Sequence, residues 1–435
     1  MDPVTNAGGS AVHSYRISTV VPGQVTPGNL VHELSGADLA MKLHYLKGVY
    51  YYPASETVEG LSVPIMKVTM FPWLDICFPA AGRIRRDGGG RPYIKCNDAG
   101  VRILEAWTDL SLEEWLDRQE TDRHRPLVPD KVIGPDLHFS PTVYLQITRF
   151  KCGGIAVGYS WAHLLGDPVS ATNCINLWGQ LLTGKEKAKK YQICSRQNES
   201  KGQEKPLLDA SLPPSVKQVE HTGDFWQSPS SKKMATFFIE LPAAKLNYLQ
   251  SKMPKNISTF ETISAILWKS IARIRTEKET KLVTICRNRS TEKSRILGNL
   301  QTISTVESSL SPEKVGLQEL ANLIHTETVD EMETVQELVN RESEKLDVIV
   351  YGSNLTFVDM ESIDIYGLEL KGQKPRHVEY SIDGVGEEGA VLVLQGTDEK
   401  QVDGNASNGR LISLILPNSE IPQLRDLLQI EWEIA

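Results

Sequence analysis

His163 and Asp167 stand four residues apart in Ser160-Trp161-Ala162-His163-Leu164-Leu165-Gly166-Asp167, after an apolar run and directly before Pro168. A histidine is the side chain best suited to take a proton from an attacking hydroxyl or amine near neutral pH, provided that its backbone is fixed and a substrate can reach it. Asp167 has two readings. It orients the imidazole, or it caps the helix that Pro168 opens, and the Asp-Pro order favours the cap. His-x-x-x-Asp arises often by chance, so its setting has to carry the catalytic reading.

The same segment holds a rival. Gly158-Tyr159-Ser160-Trp161-Ala162 is one residue short of the Gly-x-Ser-x-Gly elbow that would make Ser160 a hydrolase nucleophile. That reading needs a downstream acid followed by a histidine, and neither His325 nor His377 lies in a matching context; a hydroxyl bonded to nearby backbone is the plainer account. Asp87-Gly88-Gly89-Gly90-Arg91 lacks the Lys-Ser/Thr of a phosphate loop and reads as a hairpin turn. His44, His124 and His138 read as surface or internally satisfied histidines, and no metal site is expected. The six cysteines (77, 96, 152, 174, 194 and 286) form no Cys-x-x-Cys pair and are expected to be reduced. Asn198 and Asn256 begin glycosylation-type triplets that are expected to be unused.

The elements that must position His163 follow from periodicity. Thr142 to Phe150 alternates apolar and polar residues, Lys151 to Gly154 turns, and Ile155 to Trp161 is apolar throughout; the pair predicts a hairpin that leaves His163 at a sheet end. Ala171, Cys174, Ile175, Trp178, Leu181 and Leu182 mark a helix face that Gly184 ends. Leu39, Leu43, Leu46 and Tyr50 recur at helical spacing and predict a helix over Ala37 to Tyr50. Lys185 to Lys233 is polar and Pro-containing, with Asp224 to Trp226 its one apolar anchor, and reads as a linker. Beyond it, Ala235 to Leu241 and Lys281 to Cys286 predict strands, and Thr259 to Arg273 a helix with Ser258 and Glu261 at capping-box spacing. Gly316 to Leu346 is largely helical and charged. Val391 to Leu394 and Leu411 to Leu416 predict a late hairpin. The sum is an α/β protein with residues 1–184 and 234–435 as two comparable domains joined by 185–233.

Composition narrows the function classes. The chain has 435 residues, 47 Lys+Arg against 55 Asp+Glu and a formal charge of −8, without a clustered basic stretch. That balance argues against nucleic-acid binding. Its most apolar run, Ile155 to Leu165, is well short of the roughly 20 residues of a spanning helix, and Met1 to Tyr15 lacks the charge and apolar core of a secretory leader, so neither a membrane span nor a cleaved signal is expected.

The order of features resembles the BAHD acyltransferases of plants: Ala81-Gly82-Arg83-Ile84-Arg85-Arg86 and Cys96-Asn97-Asp98-Ala99-Gly100-Val101 early, His163 and Asp167 before the linker, Gly298-Asn299 after it, and Asp364 onward late. Within that superfamily, Ala37 to Tyr45, Pro92 to Asp98, Phe150 to Gly154 and Ser353 to Val358 look like the eceriferum/glossy branch tied to cuticular wax. The resemblance covers essentially the whole chain. It implies two chloramphenicol-acetyltransferase-like domains, each a mixed sheet with flanking helices, and an active channel at their interface that takes acyl-CoA from one side and an acceptor from the other. In the family the histidine is the general base that deprotonates an acceptor hydroxyl or amine for attack on the thioester, and the aspartate holds the histidine loop through a salt bridge, which gives Asp167 a structural role.

The late motif departs from the family pattern. Asp364-Ile365-Tyr366-Gly367-Leu368 keeps the aspartate of Asp-Phe-Gly-Trp-Gly and loses the Phe, Trp and final Gly. In the family that aspartate pairs with an arginine of the second domain, for which Arg287 and Arg289 are the candidates. The loss fits the branch, whose members work beside the condensing enzyme of the fatty-acid elongase at the endoplasmic reticulum. The expectations are therefore an elongation-promoting protein with acyl-CoA as substrate and no bound cofactor, or a working transferase to an alcohol or amine, or a non-catalytic scaffold. Its expected place is the cytosolic face of the reticulum through a partner, or the cytosol, as a monomer.

Overall fold

The computed structural model describes residues 11–118, 120–184, 211–276, 280–289, 296–326, 329–342, 346–396 and 409–434. Two six-stranded mixed sheets organise them. The first runs, edge to edge, through Val12–Val20, Val101–Thr108, Val143–Phe150, Ile155–Ala162, Tyr45–Tyr52 and His377–Asp383, with only the Val101–Thr108 and Val143–Phe150 pair parallel. The second runs through Met234–Leu241, Arg410–Pro417, Ala390–Gln395, Leu355–Met360, Leu282–Asn288 and Gln301–Glu307.

Both expected hairpins form. Val143–Phe150 pairs antiparallel with Ile155–Ala162, and Ala390–Gln395 with Arg410–Pro417; the loop of the second lies outside the described residues at 397–408. The glycines after Asp87 do make a turn, closing Arg83–Arg86 onto Pro92–Lys95, with Asp87 Oδ1 accepting from Gly89 and Arg91 N at 2.9 Å each. Thr259–Ile274 carries the full Ser258/Glu261 capping box. It lays its apolar stripe on the second sheet, where Phe260, Ile263, Leu267, Trp268 and Ile271 are buried.

The predicted helix over Ala37 to Tyr50 is corrected. Only Gly36–Ala40 is helical, capped by Ser35, and Tyr45–Tyr52 is a strand of the first sheet. Every residue from Tyr45 to Tyr52 is buried, so the strand has no polar face to reveal a period of two, and its leucines and tyrosines fall at helical spacing by coincidence.

The stretch read as a linker is described only in part. Residues 185–210, with Cys194 and Asn198, lie outside the described residues. The remainder is built into the fold: Lys217–Val219 pairs with Asp347–Ile349, and the buried Trp226 donates its backbone N–H to Ile133 O at 2.9 Å and accepts from the Tyr45 hydroxyl at 2.7 Å. The halves interleave further, because His377–Asp383 leaves the second half to pair with Tyr45–Tyr52. One apolar core accordingly joins both sheets, including Leu46, Trp161 and Ile175 from the first half and Cys286, Val358 and Leu392 from the second. The His163 loop lies along this junction.

Among the described residues no helix is long and apolar enough to cross a membrane, and no group of His, Cys, Asp and Glu could hold a metal ion.

Candidate active site

Strand Ile155–Ala162 delivers His163 where its pairing ends. The chain then makes one tight turn, His163–Leu165, and Asp167 caps the helix Pro168–Leu182. The turn is fixed from several sides. His163 N donates to His44 O at 3.0 Å, and the Trp161 indole donates to Gly166 O at 3.0 Å. Gly166 is needed for close approach: a Cβ there would lie 2.7 Å from Ser170 Cβ and 3.2 Å from Gly298 N.

Asp167 is the hinge pin between the halves. Its Oδ1 accepts from Ser170 N at 2.8 Å, the cap that the Asp-Pro order predicted, and its Oδ2 accepts from Leu300 N at 3.1 Å. Its own N–H donates to Gly298 O at 3.1 Å. Burial raises the carboxyl to about 6, against the lowering effect of the two amides. Among the described residues this carboxylate is held by the backbone N–H groups of Ser170 and Leu300 and by the Ser170 side chain. The carboxylate does not reach the His163 ring, which leaves the structural role as its reading.

His163 is completely buried. Its Nε2 lies 2.9 Å from the Tyr351 hydroxyl, which donates onward to Gln301 Oε1 at 2.7 Å. Its carbonyl accepts from the Asn299 amide at 2.9 Å, and that amide also donates to Asp38 Oδ1 at 2.8 Å. Asp38, itself buried, takes a further bond from Asn299 N at 3.0 Å and two from Ser35. Burial dominates the ring's titration and pulls it down to about 4, although its own carbonyl and the Asn299 side chain favour the charged form. The ring is therefore neutral at pH 7, as a base must be, but it is a weak one: a pKa that low is poorly matched to taking a proton from an alcohol.

Sequence reasoning missed most of this shell. His44, read as a surface or satisfied histidine, is fully buried; its Nε2 accepts from Val350 N at 3.1 Å and its ring meets Tyr351 edge-on at 5.0 Å. His124 is buried too, 2.9 Å from the Ser381 hydroxyl. Tyr351 and Gln301 carried no motif and arrive through the second sheet; only Asn299 was flagged, as part of Gly298-Asn299. The nucleophile-elbow reading of Ser160 fails, because Ser160 sits inside the strand, flanked by Lys47 and Tyr144, while the turn begins at His163.

The late motif lies apart from the ring. Asp364 follows strand Leu355–Met360; its carbonyl accepts from the Asn176 amide at 2.8 Å and its carboxylate folds over Gly367. Arg287 reaches Glu261 at 3.1 Å and Asp359 at 3.4 Å, and Arg289 reaches Asp330 at 2.6 Å. Asp359, a carboxylate that no motif marked, is thus one partner of Arg287.

A buried histidine at a strand end, looped onto the second sheet, is the arrangement to compare with known proteins. The model of the transferase family matches residues 11–363. The chain belongs to this family, that of the BAHD acyltransferases. It is 38% identical to Protein ECERIFERUM 26-like of Arabidopsis thaliana across 100% of this chain and 98% of that one. Against Protein ECERIFERUM 26 of the same plant it is 36% identical, covering 96% and 95%. A hydroxycinnamoyltransferase of Narcissus pseudonarcissus is 29% identical over 60% of this chain and 62% of its own. In structure the chain is similar to vinorine synthase, with a TM-score of 0.71 at 18% identity over 96% and 98% of the two chains, a likeness that speaks to the two-sheet BAHD fold.

Proposed function

We propose that this BAHD protein promotes elongation of very-long-chain fatty acyl-CoAs for cuticular wax, acting beside a membrane-bound elongase condensing enzyme. The supporting observation is the length over which each likeness extends. ECERIFERUM 26-like matches over 100% of the chain, whereas the hydroxycinnamoyltransferase matches over 60% of it, so the likeness to the eceriferum relative extends to segments outside that match. Acyl-CoA is the substrate class this reading assigns to the protein. Attachment to the endoplasmic reticulum would come through the partner.

The second reading, a transferase that moves an acyl group to an alcohol or amine, is favoured by the intact His163 and Asp167. Two observations weigh against it: the His163 ring is held well below the pKa of a good base, and its Nε2 is engaged by an internal hydroxyl. The experiment that separates the readings expresses the wild type and His163→Ala with and without the condensing enzyme, measuring acyl-chain length and ester formation together. Lengthened products that need the condensing enzyme and survive His163→Ala support elongation without transfer. Ester formation by the purified wild type alone would favour the transferase.

A further inference from the structure

Tyr351 places its hydroxyl oxygen 2.9 Å from His163 Nε2, where an external hydroxyl would have to sit to give up its proton; the phenol's own proton goes to Gln301 Oε1, so the oxygen accepts from His163 Nε2–H. Here the hydroxyl belongs to the chain. Both side chains are fully buried, and their rings meet at 5.5 Å and 39°. The phenol is tied on its far side to Gln301 Oε1 at 2.7 Å, and Gln301 Nε2 continues to Asn288 Oδ1 at 3.3 Å. His44, pinned through Val350 N, closes against the phenol ring.

The backbone that carries Tyr351 is equally fixed. Tyr351 O accepts from Gly386 N at 2.8 Å, and Gly352 N donates to Thr356 Oγ1 at 3.0 Å. Gly352, at φ +84°, crosses the backbone of Gly386 so closely that a Cβ would overlap it, so the two glycines lock this segment to the neighbouring loop. Tyr351 is therefore not carried on a lid. The hydroxyl leaves His163 only by rotation of its own side chain, which strands the phenol and Gln301 in a dry interior.

We propose that Tyr351 occupies the acceptor position at His163 and sets the specificity of the site by excluding external hydroxyls. The inference rests on the eceriferum-type reading and gives a physical reason why an intact His163 and Asp167 need not signal alcohol acylation. An incoming alcohol must displace a hydroxyl already bonded at both ends, and leaving two buried polar groups unpaired weakens its access by about 30-fold or more. A purely structural tyrosine, present only to satisfy the buried imidazole, predicts the opposite result on removal: lost stability and no gained reaction.

The test uses the full chain with a saturated long-chain acyl-CoA and 1-decanol. Ester and free CoA thiol are measured for the wild type, Tyr351→Phe, Tyr351→Ala and the Tyr351→Ala/His163→Ala double variant, with circular dichroism and acyl-CoA binding recorded for each. Tyr351→Phe keeps the ring and its packing, so it carries the test if the alanine variant does not fold. The expected result is at least a tenfold gain in decyl ester over the wild type in a folded single variant, returning to the wild-type level in the double variant. Folded variants that bind acyl-CoA and make no more ester than the wild type overturn the proposal, as does a gain that survives loss of His163. Either result leaves the elongation reading to its own assay, which scores chain length with the condensing enzyme.

Discussion

Replacing Asp167 with alanine sets two effects against each other. The variant loses the helix cap at Ser170 N, about 1 kcal/mol, and strips Leu300 N–H of its acceptor, about 1 kcal/mol or more for a partly buried donor. It also relieves the chain of keeping a carboxylate ionised in a fully buried place. With the folded pKa at about 6 and the ordinary value at 3.8, that cost is about 3 kcal/mol at pH 7. The net change at pH 7 is therefore small, and its dependence on pH is the diagnostic. Because the folded state binds this proton more tightly than the unfolded one, the wild type gains stability as pH falls, by about 1 kcal/mol between pH 7 and pH 5. Asp167→Ala forgoes that gain. Urea unfolding of both proteins at pH 7 and pH 5 measures it, since titrations of groups that do not interact with Asp167 cancel in the difference. The variant should be about 1 kcal/mol more destabilised, relative to the wild type, at pH 5 than at pH 7. An identical pH dependence in the two proteins would refute the view of Asp167 as a buried, amide-held clamp.

Three further outcomes follow from the geometry. His377 is held up at about 9, since Glu240 at 3.0 Å and Glu379 outweigh the effect of burial; its proton supplies about 3 kcal/mol that is fully present below its ordinary pKa of 6.5 and lost as pH rises through 9, so the melting temperature should fall between pH 7 and pH 9.5 in the wild type and much less in His377→Gln. Gly48 lies between Tyr159 and Tyr380 in the sheet, and a Cβ there would strike the Tyr159 ring, so Gly48→Ala should cost about 1 to 3 kcal/mol in chemical denaturation. Asp38→Ala leaves the Asn299 backbone and side-chain donors unpaired at the junction, a loss of about 2 to 4 kcal/mol measurable by the same unfolding titration, whereas Ser35→Ala, which keeps the carboxylate on Asn299, should cost less.

What the chain revealed in advance was local. The hairpin ahead of His163, the Asp167 cap, the Ser258 capping box and the Asp87 turn each depend on residues within a few positions of one another, and all form as their spacing dictates. Tyr45–Tyr52 was misread because a strand buried on both faces loses its alternation, and leucine and tyrosine then mimic a helix stripe. The pairing of His377–Asp383 with that strand joins residues more than three hundred positions apart and leaves no periodic trace. The shell of His163 is hidden for the same reason. Tyr351, Gln301 and Asp38 are ordinary side chains until two sheets bring them together, and Asp359 meets Arg287 without any motif to mark it.

The central claim is that the protein acts on acyl-chain length with a partner and not by transfer to an alcohol. The most direct measurement is the chain-length profile of acyl products in cells that express an elongase condensing enzyme alone, with the wild-type protein, and with His163→Ala. The account predicts longer products whenever the protein and the condensing enzyme are present together, and the same lengthening with His163→Ala. A profile that the protein leaves unchanged, accompanied by new esters that vanish in His163→Ala, would contradict it.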